Sequence, residues 1–143
     1  MTLLERPLRP ARTYTDLMKN NVATFSVNDE PFNLMTVDYI DRLEEQLPDV
    51  LADNDIRAIV FTAEGLANLS AGMDLRQIPE GIKRSGSAEA FFSQRHRVLE
   101  MIETGGTPTI ATLFGYCLGA GLELPLACHF RIAASEGAKI GLP

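Results

Sequence analysis

The stretch Gly115-Tyr116-Cys117-Leu118-Gly119-Ala120-Gly121-Leu122-Glu123-Leu124 constrains this chain more than any other. An apolar run, Thr109 to Leu113, leads into it, and a helical pattern, Leu122 to Cys128, leads out. A buried strand therefore delivers a glycine-rich turn into the start of a helix, which points to α/β architecture. Glycines let backbone come close to a ligand, and the free N–H groups of a helix start favour negative charge. Glu123 falls in the first helical turn, facing whatever the turn binds. Three readings stay open on these residues alone. The first is a tight packing turn, with Glu123 merely favoured by the helix dipole. The second is a dinucleotide site, which fits poorly because Leu124 stands where G-x-G-x-x-G needs its third glycine. The third is an oxyanion hole beside an acid/base, and it needs a second donor from elsewhere in the chain.

The totals narrow the field. A chain of 143 residues is long enough for one domain with a real core, and 45% hydrophobic against 22% charged residues is a globular balance. The net charge of −6 argues against broad nucleic-acid binding and against anchoring on an anionic membrane, although small basic patches remain for a phosphate. Cys117 and Cys128 lack metal-ligand spacing and read as buried thiols of a reducing compartment, and neither His96 nor His129 completes a zinc site with them, so no metal is expected. No apolar run approaches the ~20 residues of a membrane span. Arg6, Arg9 and Arg12 have no apolar core beside them, so no secretory signal is expected, and Glu5 and two prolines interrupt any transit-peptide pattern. The expected location is cytoplasmic, or the mitochondrial matrix in a eukaryote.

Along the chain, Thr13 to Met18 and Val22 to Val27 are strand-like, and Asn20-Asn21 between them suits a tight turn. A polar loop follows, Asn28 to Asn33. Thr36 is a good helix cap, and Val37, Ile40, Leu43 and Leu47 follow at helical spacing. Pro48 should end or kink that helix, leaving Val50 and Leu51 to a short second turn. Arg57 to Thr62 is a strand leading toward Ala71-Gly72-Met73-Asp74-Leu75. Pro79 to Ser87, rich in glycine, serine and charge, is expected to be a mobile loop. A helix from about Ala88 to Glu103 is closed by Gly105-Gly106. Pro108 opens the strand to Leu113, and Phe130 to Ala134 is a further strand. Strands and helices alternate, without internal repeats.

A candidate for the second donor is Ser70-Ala71-Gly72-Met73-Asp74, where a strand enters small residues and leaves toward a helical segment; on its own this stretch also reads as an ordinary Ala-Gly turn, and it gains weight only beside Gly115–Glu123. Its order relative to Pro108-Thr109-Ile110-Ala111, to Gly115-Tyr116-Cys117-Leu118-Gly119-Ala120-Gly121-Leu122-Glu123-Leu124, to Phe130-Arg131-Ile132-Ala133-Ala134 and to Ala138-Lys139-Ile140-Gly141-Leu142-Pro143 resembles the crotonase (enoyl-CoA hydratase/isomerase) superfamily. Asn28 to Asn33 matches that family's Asn-x-Pro-x-x-Asn loop loosely. The resemblance runs from about Thr13 to Pro143. It implies a spiral of ββα units that binds acyl-CoA thioesters, here the N-terminal part (1–143) of a single domain, incomplete at its C-terminus because the family usually runs to nearly double this length.

By motif position, the resemblance puts the backbone N–H groups of Met73 and Ala120 in an oxyanion hole for the thioester carbonyl. Donors fixed before reaction stabilise an enolate more than the neutral ground state. Glu123 falls on the first catalytic glutamate of the hydratases, which holds or deprotonates the water added across the double bond. The second glutamate of those enzymes follows a Gly-x-Pro motif, here Gly141-Leu142-Pro143. Ala71, Gly72, Asp74, Leu75, Arg76 and Gly119 are expected to meet substrate or its CoA, with Lys83 and Arg84 as further contacts for CoA phosphates. Asp74 is also expected to fix its turn by accepting backbone N–H bonds. His96 falls near a wall position that some hydrolytic relatives use for a base, against a plainer reading as part of a solvated face. His129 stands where the family commonly has aspartate, and reads as a surface or supporting residue. The implied reaction is hydration of 2-enoyl-CoA, with isomerase, decarboxylase or hydrolase chemistry, or non-catalytic acyl-CoA binding, as alternatives. No cofactor is implied beyond the coenzyme A of the substrate, and a homotrimer or hexamer is implied for the full-length form.

Overall fold

A computed structural model describes residues 20–143. The expected strand Thr13–Met18 lies outside the described residues; Asn20 and Asn21, which follow it, have φ of 57° and 64°, the left-handed values expected of a tight turn. The described elements run β1 (Val22–Val27), α1 (Val37–Ala52), β2 (Ala58–Ala63), a 3-10 turn (Leu75–Gln77), α2 (Ile78–Ser85), α3 (Ala88–Thr104), β3 (Thr109–Leu113), β4 (Tyr116–Leu118), α4 (Ala120–Ala127), β5 (Phe130–Ala133) and β6 (Lys139–Gly141).

Parallel strands cannot be joined by a tight turn and need a crossover. Here β1, β2, β3 and β5 make one parallel sheet in that order, with helices in the connections. Alternation sends Ala23, Phe25 and Val27 to one face, where Phe25 lies level with Phe61 and the two rings stack at 5.5 Å. That face shares a core with Leu43 and Leu47 of α1 and with Val98 and Ile102 of α3. On the other face Thr112 donates a hydroxyl hydrogen bond to Thr62 at 2.8 Å.

A second layer repeats the order. β4 pairs with β6 in parallel, and two isolated parallel bridges, Met35 with Met73 and Ser70 with Cys117, continue the same stacking toward the N-terminus. Each turn of the chain thus contributes a strand to the first sheet, a short extended piece to the second, and then a helix. The result is a spiral of ββα units. At its last turns the side chains of Phe130, Ile132, Ile140 and Leu142 are exposed.

Three expectations need correction. Pro48 does not end α1, which continues to Ala52. Pro48 lies on the exposed side, where water can serve the Glu44 carbonyl it leaves unpaired, while Leu43, Leu47 and Val50 hold the opposite stripe in the core. The segment from Pro79 to Ser87 is not a loop over most of its length but helix α2. Pro79 occupies its first turn, where a missing N–H is tolerated, and Gly81 leaves room for the Phe91 ring, with which a β-carbon there would clash. Finally, the strand Thr109–Leu113 does not run straight into the glycine turn. The chain switches sheets at Phe114-Gly115, and β4, unforeseen in the sequence, delivers the turn instead.

Candidate active site

Each half of the site is the exit of a second-layer strand, so the two lie on neighbouring rungs. In the first, Ser70 donates its N–H to Tyr116 O at 2.9 Å and accepts Leu118 N–H at 3.1 Å. Its hydroxyl accepts Gly72 N–H at 3.1 Å. Gly72 O accepts Met35 N–H at 2.8 Å, and Asp74 N–H goes to Met35 O at 3.1 Å. Asp74 caps the following turn by accepting Arg76 N–H at 3.2 Å. Its carboxylate also holds Arg76 through Nε and Nη2, both at 2.8 Å, and Gln77 Nε2 at 3.1 Å. Burial alone would raise the Asp74 carboxyl, but these donors outweigh it and hold the group below the usual carboxylate range. Gln77 Oε1 in turn accepts Val37 N–H at 2.9 Å, tying the turn to the start of α1.

The second turn is held by main chain. Gly119 caps α4 with φ 53° and ψ −127°, a conformation that side-chain-bearing residues adopt only under strain. Its N–H donates to Gly141 O at 3.1 Å, and its O accepts Leu122 and Glu123 N–H at 2.8 and 3.0 Å. A β-carbon on Gly121 would stand 2.5 Å from Ser70 O, and one on Gly72 would stand 3.0 Å from Leu118 O and 3.9 Å from Ala120 N, so the two turns press against each other. Ala120 is the first helical residue and is not among the residues with positive φ, so its methyl is accommodated.

Between the turns lies an open cleft lined by Ala71, Met73, Leu75, Gly119, Ala120 and Glu123. Among the described residues neither Met73 N–H nor Ala120 N–H has a protein acceptor. Glu123 is exposed, on the first turn of α4, and its carboxylate likewise has no hydrogen-bond or ion-pair partner there. A smaller cavity continues inward from Met73, Ala120 and Glu123 to Met35, Leu124 and Arg95. Two unpaired N–H donors and one free carboxylate on adjoining rungs can receive an oxygen that gains negative charge while a water is held beside it.

The family model for enoyl-CoA hydratase/isomerase matches residues 22–143. The chain belongs to the enoyl-CoA hydratase/isomerase family. It is 34% identical over 122 residues to a probable enoyl-CoA hydratase of Bacillus subtilis, covering 85% of this chain and 46% of that one. It is 32% identical over 123 residues to a fatty acid oxidation complex subunit alpha of Shewanella baltica, again over 85% of this chain but 17% of the relative. The solved enoyl-CoA hydratase of Bacillus anthracis superposes with a TM-score of 0.77 at 29% identity, covering 94% of this chain and 50% of that one. The chain therefore spans about half the length, or less, of these relatives.

Against this family frame, the remaining candidates sort by what they touch. Gly72 is buried behind the first turn, and Arg76 lies clamped on Asp74 at the edge of a neighbouring hollow with Ala71 and Leu75. Arg84 pairs with Asp41 at 2.8 Å, and Lys83 stands 4.0 Å from Glu80, both on α2 rather than on a loop. His96 is exposed on α3 and does not line the cleft; its neighbour Arg95 lines the inner cavity. His129 Nδ1 accepts Thr109 N–H at 3.1 Å and contacts the Thr109 hydroxyl at 2.8 Å, a link between strand ends. Cys117 and Cys128 are free and buried, and burial raises both thiols, that of Cys128 to about 11. Sequence reasoning missed Arg95, although its place on the stripe Phe91, Arg95, Val98 and Ile102, otherwise apolar, is visible in the spacing.

Proposed function

We propose that this chain carries the oxyanion hole and the first acid/base of an enzyme that adds water to 2-enoyl-CoA thioesters. The thioester oxygen accepts from Met73 N–H and Ala120 N–H. Glu123 holds the water and takes its proton as the oxygen bonds to C3, and the enolate charge that develops faces both donors and the positive end of α4. The observation that carries this reading is the pair of unpaired N–H groups on adjacent rungs, with Glu123 on the turn that follows the second. Coenzyme A enters as part of the substrate and no separate cofactor is invoked. The expected setting is cytoplasmic, or the mitochondrial matrix in a eukaryote, the expected partners include neither nucleic acid nor membrane, and the expected assembly is a homotrimer or hexamer. Among the described residues no helix is long and apolar enough to cross a membrane.

Glu123→Gln tests the reading directly. Hydration of crotonyl-CoA is expected to fall by about 10²-fold or more, in the range of a lost acid/base group, with acyl-CoA affinity retained. A loss well under tenfold would remove Glu123 from the mechanism. A second reading, acyl-CoA binding without turnover, is favoured by one fact: Glu123 is the only acid lining the cleft and its inner cavity among the described residues. Tight binding with no hydration by the wild-type protein would select it. The same hole would also serve isomerase, decarboxylase or hydrolase chemistry, and product analysis separates these from hydration.

A further inference from the structure

Arg95 is the only buried arginine or lysine among the described residues, at 8% exposure. Its guanidinium lies on the Phe91 ring, with Cζ 3.3 Å from the ring centroid. Nη1 donates to Phe91 O at 2.7 Å and to Gln94 Oε1 at 3.3 Å, while Nε is buried with no partner. No carboxylate among the described residues lies within ion-pairing distance of it. The acids that α1 turns toward α3 are already engaged: Asp41 by Arg84 and Gln94, Glu44 by Arg97 and Gln94. Burial disfavours the charge on Arg95, and Asp41 only partly offsets this at a distance. A buried cation left without a counter-charge is costly, so something that completes the pair is favoured. Arg95 lines the inner cavity that opens from Met73, Ala120 and Glu123, and the cavity wall is otherwise mainly apolar, with Met35, Val98 and Leu124.

We propose that the acyl group taken by this site carries a carboxylate at its far end, and that Arg95 receives it. This rests on the acyl-CoA reading of the cleft. The thioester would sit at the two N–H groups, the carbon chain would cross the apolar wall, and the terminal carboxylate would meet the guanidinium nitrogens that have no protein partner. A guanidinium fork suits that contact, since its planar donors match the two oxygens of a carboxylate. Glu123 is a poorer counter-ion for Arg95, because it is exposed on the cleft side and makes no ion pair with it.

The test compares butanoyl-CoA with glutaryl-CoA, the same chain ending in a carboxylate, by isothermal titration with the full polypeptide. Glutaryl-CoA is expected to bind about tenfold or more tighter, as a desolvated charge pair allows. Arg95→Met should erase that preference, bringing the two affinities level; Arg95→Lys, which keeps the charge without the fork, should retain part of it. Equal or tighter binding of butanoyl-CoA by the wild type would overturn the inference while leaving the acyl-CoA reading intact. So would an Arg95→Met protein that loses both ligands alike, the mark of a purely structural arginine. Binding of neither thioester by the wild type would instead overturn the acyl-CoA reading, and this inference with it.

Discussion

The two turns that meet at the cleft do the same job by different means. The Ser70–Asp74 turn adds side chains to its main-chain bonds: a serine hydroxyl under Gly72, a carboxylate that collects Arg76 and Gln77, and an amide that reaches back to α1. The Gly119–Glu123 turn is held by bare main chain, too close to Ser70 at Gly121 for a methyl group, with Gly119 N–H donating to Gly141 O and Gly119 O accepting from Glu123 N–H. Gaining a carbon strains either turn, at Gly72 or at Gly121, but only the first also depends on polar side-chain atoms. The difference matters because the groups proposed to hold the thioester oxygen are main-chain N–H groups, whose aim depends on what holds the turn.

The strongest test of that contrast adds a single methyl group. Gly121→Ala would place a carbon 2.5 Å from Ser70 O. It is expected to cost about 3 kcal/mol, the upper part of the overpacking range, in urea unfolding. Hydration is expected to fall by about 10²-fold, as for loss of an oxyanion-hole donor. An unchanged protein would mean the two rungs are not pressed together. Next, Asp74→Asn should cost about 2 kcal/mol at neutral pH, since charge-assisted hydrogen bonds become neutral ones. Because the folded Asp74 carboxyl sits below its ordinary value of 3.8, its contribution is present above that value and disappears as pH falls through the lower folded value. The stability gap between wild type and Asp74→Asn should accordingly close in acid, and a gap that stays constant from pH 7 to pH 2 would remove the charge from the account. Ser70→Ala should cost about 1 kcal/mol through one lost hydrogen bond. The smallest effect is expected where a carbon is removed from a residue that contributes only its N–H. Ala120→Gly should change stability by less than about 1 kcal/mol and leave the hydration rate nearly unaltered; a large loss of rate would show that the alanine methyl itself shapes the hole.

Features set by neighbours in sequence were readable from the chain. Thr36 caps α1 with its hydroxyl on Tyr39 N–H, β1 occupies the expected Val22–Val27, and Asp74 fixes its turn through Arg76 N–H, all from local chemistry. The pairing of Ser70–Asp74 with Gly115–Glu123 was readable only as a family pattern, since no local rule says that two turns 45 residues apart lie on neighbouring rungs. What escaped depends on distant partners. Helix α2 stands because Gly81 nests on Phe91, Pro48 is harmless because its side of α1 faces water, and β4 exists because β6 and Ser70 offer it partners. Arg95 was passed over because a cation within a helix next to Gln94, His96 and Arg97 looks solvated until the burial of its stripe is known.

The layered stacking has a consequence for how such a molecule can change over generations. The donors belong to two consecutive rungs of the second layer, while the far wall of the cavity belongs to one helix face, Arg95 and Val98 of α3. In a stack where each unit rests chiefly on its neighbours, drift on that helix face leaves the two rungs in register. Selection can retune what the cavity accepts by exchanging a few α3 side chains while the hydrogen-bonding pair is inherited intact. The architecture separates the heritable chemistry from the adjustable appetite of the protein.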